Sequence, residues 1–435
     1  MIYYLIFGLF LAYCFLVFKR AKKYRYDTRK DYAYNLEKHQ LAKLSITETK
    51  TQLPANIESY DTLFLKVTLS FFPLSYFFKP YIQIDEQKHF FEYGAQGTRY
   101  LNISGIAHNT PQIKSKNLRL RSKSMTLYGY QNAIKESQKV LILAPHADDA
   151  EIAAFGFYKT MQNVTIVTTT AAEHGICNYC ELYKKDRTKN SIKKAELRIF
   201  DALCIPMLGN VPMHNTLALG YFGGSLKWMR ENPGGLASSL VTEIEDMNKF
   251  RRVAHADIKL KENTQSKYEA FLEDLTQILQ QLQPSLIVTA HPIIDSHPDH
   301  KYTTIAAMQA VKELNYKCKF LLYTNHLELS ETYPIGKIHS SITLPPNKDD
   351  VYFDSIYSFN LNQDLQIDKF FALEAMHDLR NSLVFLSAKY AWKHFNKMLK
   401  REITGKDKSY FKRAMRANEL FFVVESENTE KLLEI

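Results

Sequence analysis

The sequence predicts an α/β fold. We expect a parallel sheet with helices on both faces, preceded by an N-terminal transmembrane helix and a small β-rich domain. Three observations predict it. From Lys139 onward, short β-branched runs alternate with stretches of helical period, the pattern of parallel strands joined by crossover helices. Two of those runs end abruptly in His and Asp. An uncharged apolar stretch, Ile2 to Phe18, stands directly before the basic block Lys19 to Arg25.

The elements follow in order. Residues 1–25 read as a transmembrane anchor with its basic flank. The positive charges come after the apolar run, which is the reverse of a cleaved signal peptide, and they place the rest of the chain on the cytoplasmic side of the membrane as a single-pass protein. Residues 26–60 are charged and helix-friendly, a linker or helical stalk. Residues 61–130 carry short β-branched and aromatic runs punctuated by Gly94, Gly97 and Gly105, a β-rich accessory domain. Within it, Leu63 to Leu74 is broken by Lys66 and Pro73 and reads as a strand pair. Residues 135–435 form the α/β domain. Its strand candidates are Val140–Ala144, Val164–Thr169, Leu286–Thr289 and Phe320–Tyr323. Its helix candidates are Ser191–Ala202 and Tyr268–Leu282, the second with Leu272, Leu275, Ile278, Leu279 and Leu282 at helical spacing. The stretch from Met207 to Lys267 reads as irregular, with Gly220–Leu226 and Asn232–Gly235 as active-site loops. No GxGxxG follows the first strand, so dinucleotide binding is not expected.

The chemistry sits at two strand ends, where open α/β sheets place it. The first is ValLeuIleLeuAlaProHisAlaAspAspAlaGlu, Val140 to Glu151. The second follows Ser285–Ala290 and reads HisProIleIleAspSerHisProAspHis, His291 to His300. A zinc ion that activates water needs about three protein ligands and an open position. His146 and Asp149, three apart, can face one point, and His300 supplies the third ligand. Asp148 is placed to act on water as a general base. Ser296 is the expected cap of a helix with Pro298 in its first turn. His297 would then lie over the substrate carbonyl as an imidazolium, with Asp299 keeping it protonated. His291 and Asp295 read as structural. Each cluster alone has a plainer reading, since AspAsp after a strand often caps the next helix. Two such clusters with ligand spacing point to one metal site.

ProHisAlaAspAspAlaGlu resembles the ProHisProAspAsp motif of the LmbE-like, or PIG-L, family of zinc-dependent N-acetylglucosaminyl deacetylases. HisProAspHis at 297–300 resembles that family's second motif. Weaker likenesses lie in GlnProSerLeuIleValThr, in LysLysAlaGluLeuArg, and in the late helix Lys369 to His377. The resemblance covers about residues 138 to 380 and implies that residues 135–435 are a deacetylase domain built on a Rossmann-like parallel sheet with helices on both faces. It implies His146, Asp149 and His300 as ligands of Zn2+ (or of another divalent ion such as Fe2+), Asp148 as base and His297 as electrophile. Lys193, Glu173 and His377 are the implied substrate contacts. The chain departs from the pattern at Ala147, where the family has proline, at Lys193, where it often has arginine, and at Gly223, where it often has aspartate. The implied reaction removes the N-acetyl group from an N-acetylglucosamine-type sugar. The anchor suggests a membrane glycolipid or lipopolysaccharide precursor. A small soluble glucosaminyl conjugate and an inactive glycan-binding scaffold are the alternatives.

Composition adds bounds. The chain has 435 residues, 46% hydrophobic and 13% aromatic, enough for a large core. A net charge of +10 favours anionic partners such as a membrane surface, and no nucleic-acid partner is expected. Five cysteines make no disulfide framework. Cys177 and Cys180 form a lone CxxC.

Overall fold

A computed structural model describes residues 2–21, 24–106, 108–175, 182–183, 186–241, 244–253, 255–347, 350–379, 392, 395–396, 399 and 409–433. Cys177 and Cys180 lie outside the described residues.

The chain opens with α1 (Ile2–Ala21). No helix among the described residues is long and apolar enough to cross a membrane. The expected transmembrane helix is thereby overturned, and with it the single-pass, cytoplasmic-side placement. The physical reason is length. The uncharged run, Ile2 to Phe18, stands at the lower limit of about 17 residues for a span, and the helix runs on into Lys19 and Arg20. The anchor argument for a membrane glycolipid falls with it.

Residues 26–60, expected as a linker or stalk, instead supply an edge strand, β1 (Gln40–Ser45). It joins an antiparallel sheet with β2 (Thr62–Ser70), β5 (Gly97–Asn102), β7 (Arg119–Leu120) and β8 (Ser124–Tyr130), in the order β1-β8-β2-β5 with β7 beside β2. A second small sheet comprises β3 (Tyr81–Ile84), β4 (Gln87–Phe90) and β6 (Ile113–Lys116), ordered β4-β3-β6. Leu63 to Leu74 is one strand and a turn, not a strand pair. Lys66 is no break, because it stands on the half-exposed face of an alternating strand. The N-terminal segment is pinned to this unit by charge. Arg99 is buried against Glu92 at 3.3 Å, its guanidinium donates to the carbonyls of Thr28 and Lys30, and it stacks 4.0 Å from the Tyr32 ring.

The α/β unit is built on seven strands in the order β11-β10-β9-β12-β13-β15-β14. They are β9 (Lys139–Ala144), β10 (Asn163–Thr170), β11 (Thr216–Tyr221), β12 (Leu286–Ala290), β13 (Lys319–Tyr323), β14 (Ser355–Asn360) and β15 (Asn418–Glu425). The first five in that order are parallel, and β15 runs antiparallel to both its neighbours. Their side chains are buried on both faces, as a sheet covered by helices requires. On one face, Val140, Ile142, Val288 and Leu321 pack with Phe155 and Phe157 of α2 (Asp149–Thr160) and Ala372 of α7 (Gln363–Ala375). On the other, Leu141, Leu143, Ile287 and Phe320 meet α5 (Tyr268–Leu282) and α6 (Pro298–Glu313). Phe271, Leu275, Ile278 and Leu279 form the buried stripe of α5, each such side chain contributing about 1.5–3 kcal/mol. Between β10 and β11 runs α3 (Arg187–Cys204), capped by Asp186. The helix α4 (Leu226–Glu231) follows β11. The segment expected to be irregular thus contains a strand.

One local interruption matters for the site. Ala154 leaves the helical region inside α2. The amides of Gly156 and Phe157 donate instead to the buried Glu419 carboxylate at 2.9 and 2.8 Å. Lys369 balances that charge at 2.7 Å. The first turn of α2 is therefore held separately from the rest.

Candidate metal centre

The parallel strands β9 and β12 are hydrogen-bonded neighbours, so their C-terminal ends deliver both motifs to one place. His146 stands on the turn leaving β9, and its backbone N–H donates to Asp149 Oδ2 at 2.9 Å. Asp148 occupies the N-cap position of α2, yet its side chain caps no amide. This removes the plainer reading of AspAsp as a helix cap. At the second motif the cap is His297, not Ser296. Its Nδ1 accepts from Asp299 N–H at 3.2 Å, and Pro298 follows in the first turn of α6.

Three atoms converge. His146 Nδ1 is 3.2 Å from Asp149 Oδ2, His300 Nε2 is 3.1 Å from that same oxygen, and the two nitrogens are 3.3 Å apart. Ligands about 2.05 Å from a tetrahedral zinc ion stand about 3.3 Å from each other, so the triangle has the size of one face of such a shell. A single proton bridges two of these atoms, whereas a divalent cation satisfies all three. The imidazoles of His146, His297 and His300 form a looser group whose ligand atoms lie within 4.8 Å of one another. The tighter set is His146, Asp149 and His300, with His297 beside it.

The far side of each ligand imidazole meets a carboxylate. His146 Nε2 donates to Asp299 Oδ2 at 3.2 Å, which leaves Nδ1 as the free lone pair. His300 Nδ1 lies 3.2 Å from Asp295 Oδ2, close but poorly aligned for a hydrogen bond. Asp295 is itself held by the backbone amides of His297, Asn325 and His326. Asn325 Nδ2 donates to Asp149 Oδ1 at 2.8 Å and fixes that carboxylate. Charge follows this packing. Burial opposes ionisation of His300, but Asp149 and Asp295 hold its pKa well above the ordinary value. Burial likewise opposes His146, which Asp149 and Asp299 raise. Asp149 is held well below the usual carboxylate range by His300 and His146, against its burial.

Two expected roles are corrected. His297 is not an imidazolium. Burial and the nearby charge of His146 and His300 press its pKa down to about 3. Because its Nδ1 accepts an amide hydrogen, the proton of the neutral ring sits on Nε2. The Asp299 carboxylate pulls the pKa of His297 upward but is outweighed by burial and by His146 and His300, and its hydrogen bonds go elsewhere. Oδ2 faces His146 and accepts the Gly224 N–H at 2.7 Å. Gly224 has φ of +77°, a conformation that turns its amide inward and suits glycine.

The expected substrate contacts separate. Lys193 points to solvent and pairs with Glu196. Its neighbour Lys194 turns inward instead, donating to His174 O at 2.8 Å and pairing with Asp378 at 3.3 Å. Glu173 is fully engaged, accepting from Gly223 N–H at 2.9 Å and Ser239 Oγ at 2.7 Å, so it anchors the loop after β11 and offers no free oxygen to a ligand. His377 Nδ1 meets Asp201 Oδ1 at 2.5 Å. At Gly223, where aspartate was the expected family residue, a Cβ would lie 2.5 Å from His174 Nδ1 and 2.9 Å from Ala172 Cα, so this chain has no room for it. His291 caps its own turn, accepting from Ile293 N–H at 3.2 Å.

Several site residues were missed. Arg198 Nη2 donates to Asp148 Oδ1 at 3.0 Å, and the same guanidinium binds Asp378. His326 Nε2 meets the Tyr410 hydroxyl at 3.0 Å, with its ring 5.3 Å from that of His300. Asn325 and His326 follow β13 immediately, the same strand-end signal that marked the other two motifs.

The family model described as PIG-L: GlcNAc-PI de-N-acetylase matches residues 141–311. No curated protein matches the chain. Among solved structures, the zinc-inhibited form of teicoplanin deacetylase Orf2 is 14% identical, covering 67% of this chain and 99% of that one at a TM-score of 0.35. The A40926 pseudoaglycone deacetylase Dbv21 is 13% identical, with coverages of 66% and 98% and a TM-score of 0.35. The 4-carboxy-2-hydroxymuconate hydratase GalB from Pseudomonas putida KT2440 is 12% identical, with coverages of 66% and 96% and a TM-score of 0.32. Overlaps this loose say nothing of this chain's chemistry. The two strand-end motifs, with His146, Asp148, Asp149, His297 and His300, lie within residues 141–311, the stretch that resembles the PIG-L family model.

Proposed function

We propose that this protein is a metal-dependent hydrolase that removes the N-acetyl group from an N-acetylglucosamine-type sugar, with Zn2+ the favoured ion. The observation that carries the reading is the triangle of His146 Nδ1, Asp149 Oδ2 and His300 Nε2, with a carboxylate behind each imidazole. A divalent ion held there supplies Lewis acidity toward a carbonyl and makes water more acidic.

The chain's own residues do the rest. Asp148 takes a proton from the attacking water, steadied by Arg198 at 3.0 Å. Neutral His297 donates its Nε2–H to the amide oxygen as charge develops there. Asp148 then returns the proton to the leaving nitrogen, and the products are acetate and a free amine. Lys194, Arg198 and Asp378 form the polar wall beside the base, where sugar hydroxyls would bind. The sugar's carrier is left to assay: a lipid-linked and a soluble N-acetylglucosaminyl conjugate, compared at equal concentration.

The test pairs metal analysis with acetate release. Wild type loaded with zinc should release acetate from an N-acetylglucosaminyl conjugate. Asp148→Ala should keep its zinc and lose release by about 10²–10⁴-fold. If zinc-loaded wild type binds such conjugates and frees no acetate, the glycan-binding scaffold is the better reading.

A further inference from the structure

The turn joining β2 to β3, residues 71–80, reads PhePheProLeuSerTyrPhePheLysPro and turns apolar side chains outward. Phe71, Leu74 and Phe78 are 50%, 45% and 56% exposed. Turns ordinarily carry Gly, Asn, Asp or Ser. Five aromatic residues here are not explained by the core, and a contiguous exposed apolar patch marks a contact site. The helix α1 contacts the same turn and leaves Leu5, Phe7 and Phe10 exposed.

A row of cations borders the turn. Arg119 pairs with Ser70 at one end, and Lys116 with Tyr81 at the other. The Arg119 guanidinium lies 5.1 Å from the Phe72 ring. Arg121 N–H donates to Thr68 O at 2.8 Å and continues the row. Lys114, Lys116, Arg119, Arg121 and Lys123 are all exposed, and none forms an ion pair with a described carboxylate. The sequence has no Asp or Glu from Thr62 to Ile84, nor from Tyr93 to Lys135.

We propose that this aromatic turn and its basic border dock on the surface of an anionic lipid bilayer. The phenylalanines and Leu74 enter the boundary between headgroups and acyl chains, and the cations meet lipid phosphates. The contact lies in the headgroup layer and involves no span. Charge and composition choose this occupant. A second copy would set two cation rows against each other. A nucleic acid would need aromatic faces open for stacking, whereas the exposed positions of the turn include Pro73 and Leu74 beside Phe71 and Phe78, and apolar bulk without a ring face suits acyl chains. The inference stands apart from the hydrolase reading and is tested without activity.

The full chain is sedimented with phosphatidylcholine vesicles, with and without phosphatidylglycerol. Binding should require the anionic lipid, weaken with salt, and fall about fivefold for each cation neutralised in Arg119→Gln and Arg121→Gln. Phe71→Ser with Phe78→Ser should abolish it while the melting curve stays that of wild type. Should either pair melt early, Leu74→Ser and Lys123→Gln, both at exposed positions, replace it. Equal partition into neutral and anionic vesicles overturns the proposal. So does unchanged binding by a tip variant with a wild-type melt, or concentration-dependent self-association in place of vesicle binding.

Discussion

Asp299→Asn changes one atom of a fully buried side chain, and the structure says what that atom does. Oδ2 accepts two hydrogens, from His146 Nε2 at 3.2 Å and Gly224 N at 2.7 Å, while Oδ1 has no partner. The asparagine has two placements. With its oxygen at the Oδ2 position, its NH2 lies where Oδ1 was and finds no acceptor. An unsatisfied buried donor costs about 1–3 kcal/mol. With the groups reversed, the NH2 faces two N–H donors. His146 relieves that clash by moving its proton to Nδ1, the atom that faces Asp149, and so loses its lone pair for the ion. Either way the loss falls on metal binding or on stability. Removing a carboxylate behind a ligand histidine typically costs about 10–100-fold in metal affinity, or about 1.4–2.7 kcal/mol, the range the buried donor gives independently. The assay is zinc titration against a competing chelator, with a thermal melt of the metal-free protein alongside. Wild-type zinc affinity together with a wild-type melt in Asp299→Asn, while Asp149→Ala loses zinc, would refute the assignment of Asp299 to His146.

Zinc affinity should rise with pH. Folding raises the pKa of His146 and His300, so their ion pairs stabilise the metal-free protein below the ordinary histidine value of about 6.5, and that contribution disappears as pH climbs through the raised values. Zinc must displace those protons, and affinity should gain up to about tenfold per pH unit for each imidazole still protonated; a flat profile from neutral to alkaline pH contradicts this. Burial pushes Glu151 up to about 8, so its ionisation costs folding free energy that grows as pH rises from its ordinary value toward 8. Glu151→Gln should therefore leave Tm nearly unchanged in acid and raise it at alkaline pH, and an equal shift at both would show that charge is not the cause. Lys194→Ala should raise KM for the sugar conjugate, whereas Lys193→Ala should leave kcat/KM within about twofold, as exposed positions do; the reverse ranking would return Lys193 to the site.

The strands that carry the two His/Asp motifs were legible because a buried parallel strand is a continuous apolar run, and an abrupt polar stop marks its exposed end. The expected Val140–Ala144 and Leu286–Thr289 lie within one residue of β9 and β12. The sheet's outer strands were not legible. Thr216–Tyr221 contains Gly220, at φ of +81° where a Cβ would strike the Arg251 backbone, and glycine beside Phe222 and Gly223 reads as loop. Strands β14 and β15 pair across a long separation that no local pattern reports. The lysine error was avoidable. Ala195, Ile199 and Ala202 form the buried stripe of α3, and Lys194 and Arg198 border it at a spacing of four, whereas Lys193 lies about 100° away from Lys194 around the helix. What spacing could not give is which carboxylate stands behind which imidazole, because that depends on loops from three strand ends meeting.

The β-rich unit takes on meaning from the edge it covers. β14 is the last strand of the seven, and an uncovered edge offers a row of unpaired backbone groups. Here the other sheet satisfies them with side chains. Asn132 Nδ2 donates to Ile356 O at 3.0 Å, and Ser358 N–H donates to Thr62 Oγ1 at 2.8 Å. Asn102 Nδ2 donates to the Ser358 hydroxyl at 2.8 Å. Beside these bonds, Phe64, Tyr100, Tyr128 and Tyr130 share one apolar cluster with Ile356 and Phe422 of the large sheet. Polar caps along a strand edge, backed by shared aromatic packing, tie the two sheets into one cooperative body. The carboxylate cradle behind the metal triangle includes Asp295, which accepts from Asn325 and His326 just after β13. β13 in turn is paired to β15, and β15 to β14. The edge that the β-rich unit seals is therefore two strands from the loop that orients His300, and loosening it would act on the site through the sheet.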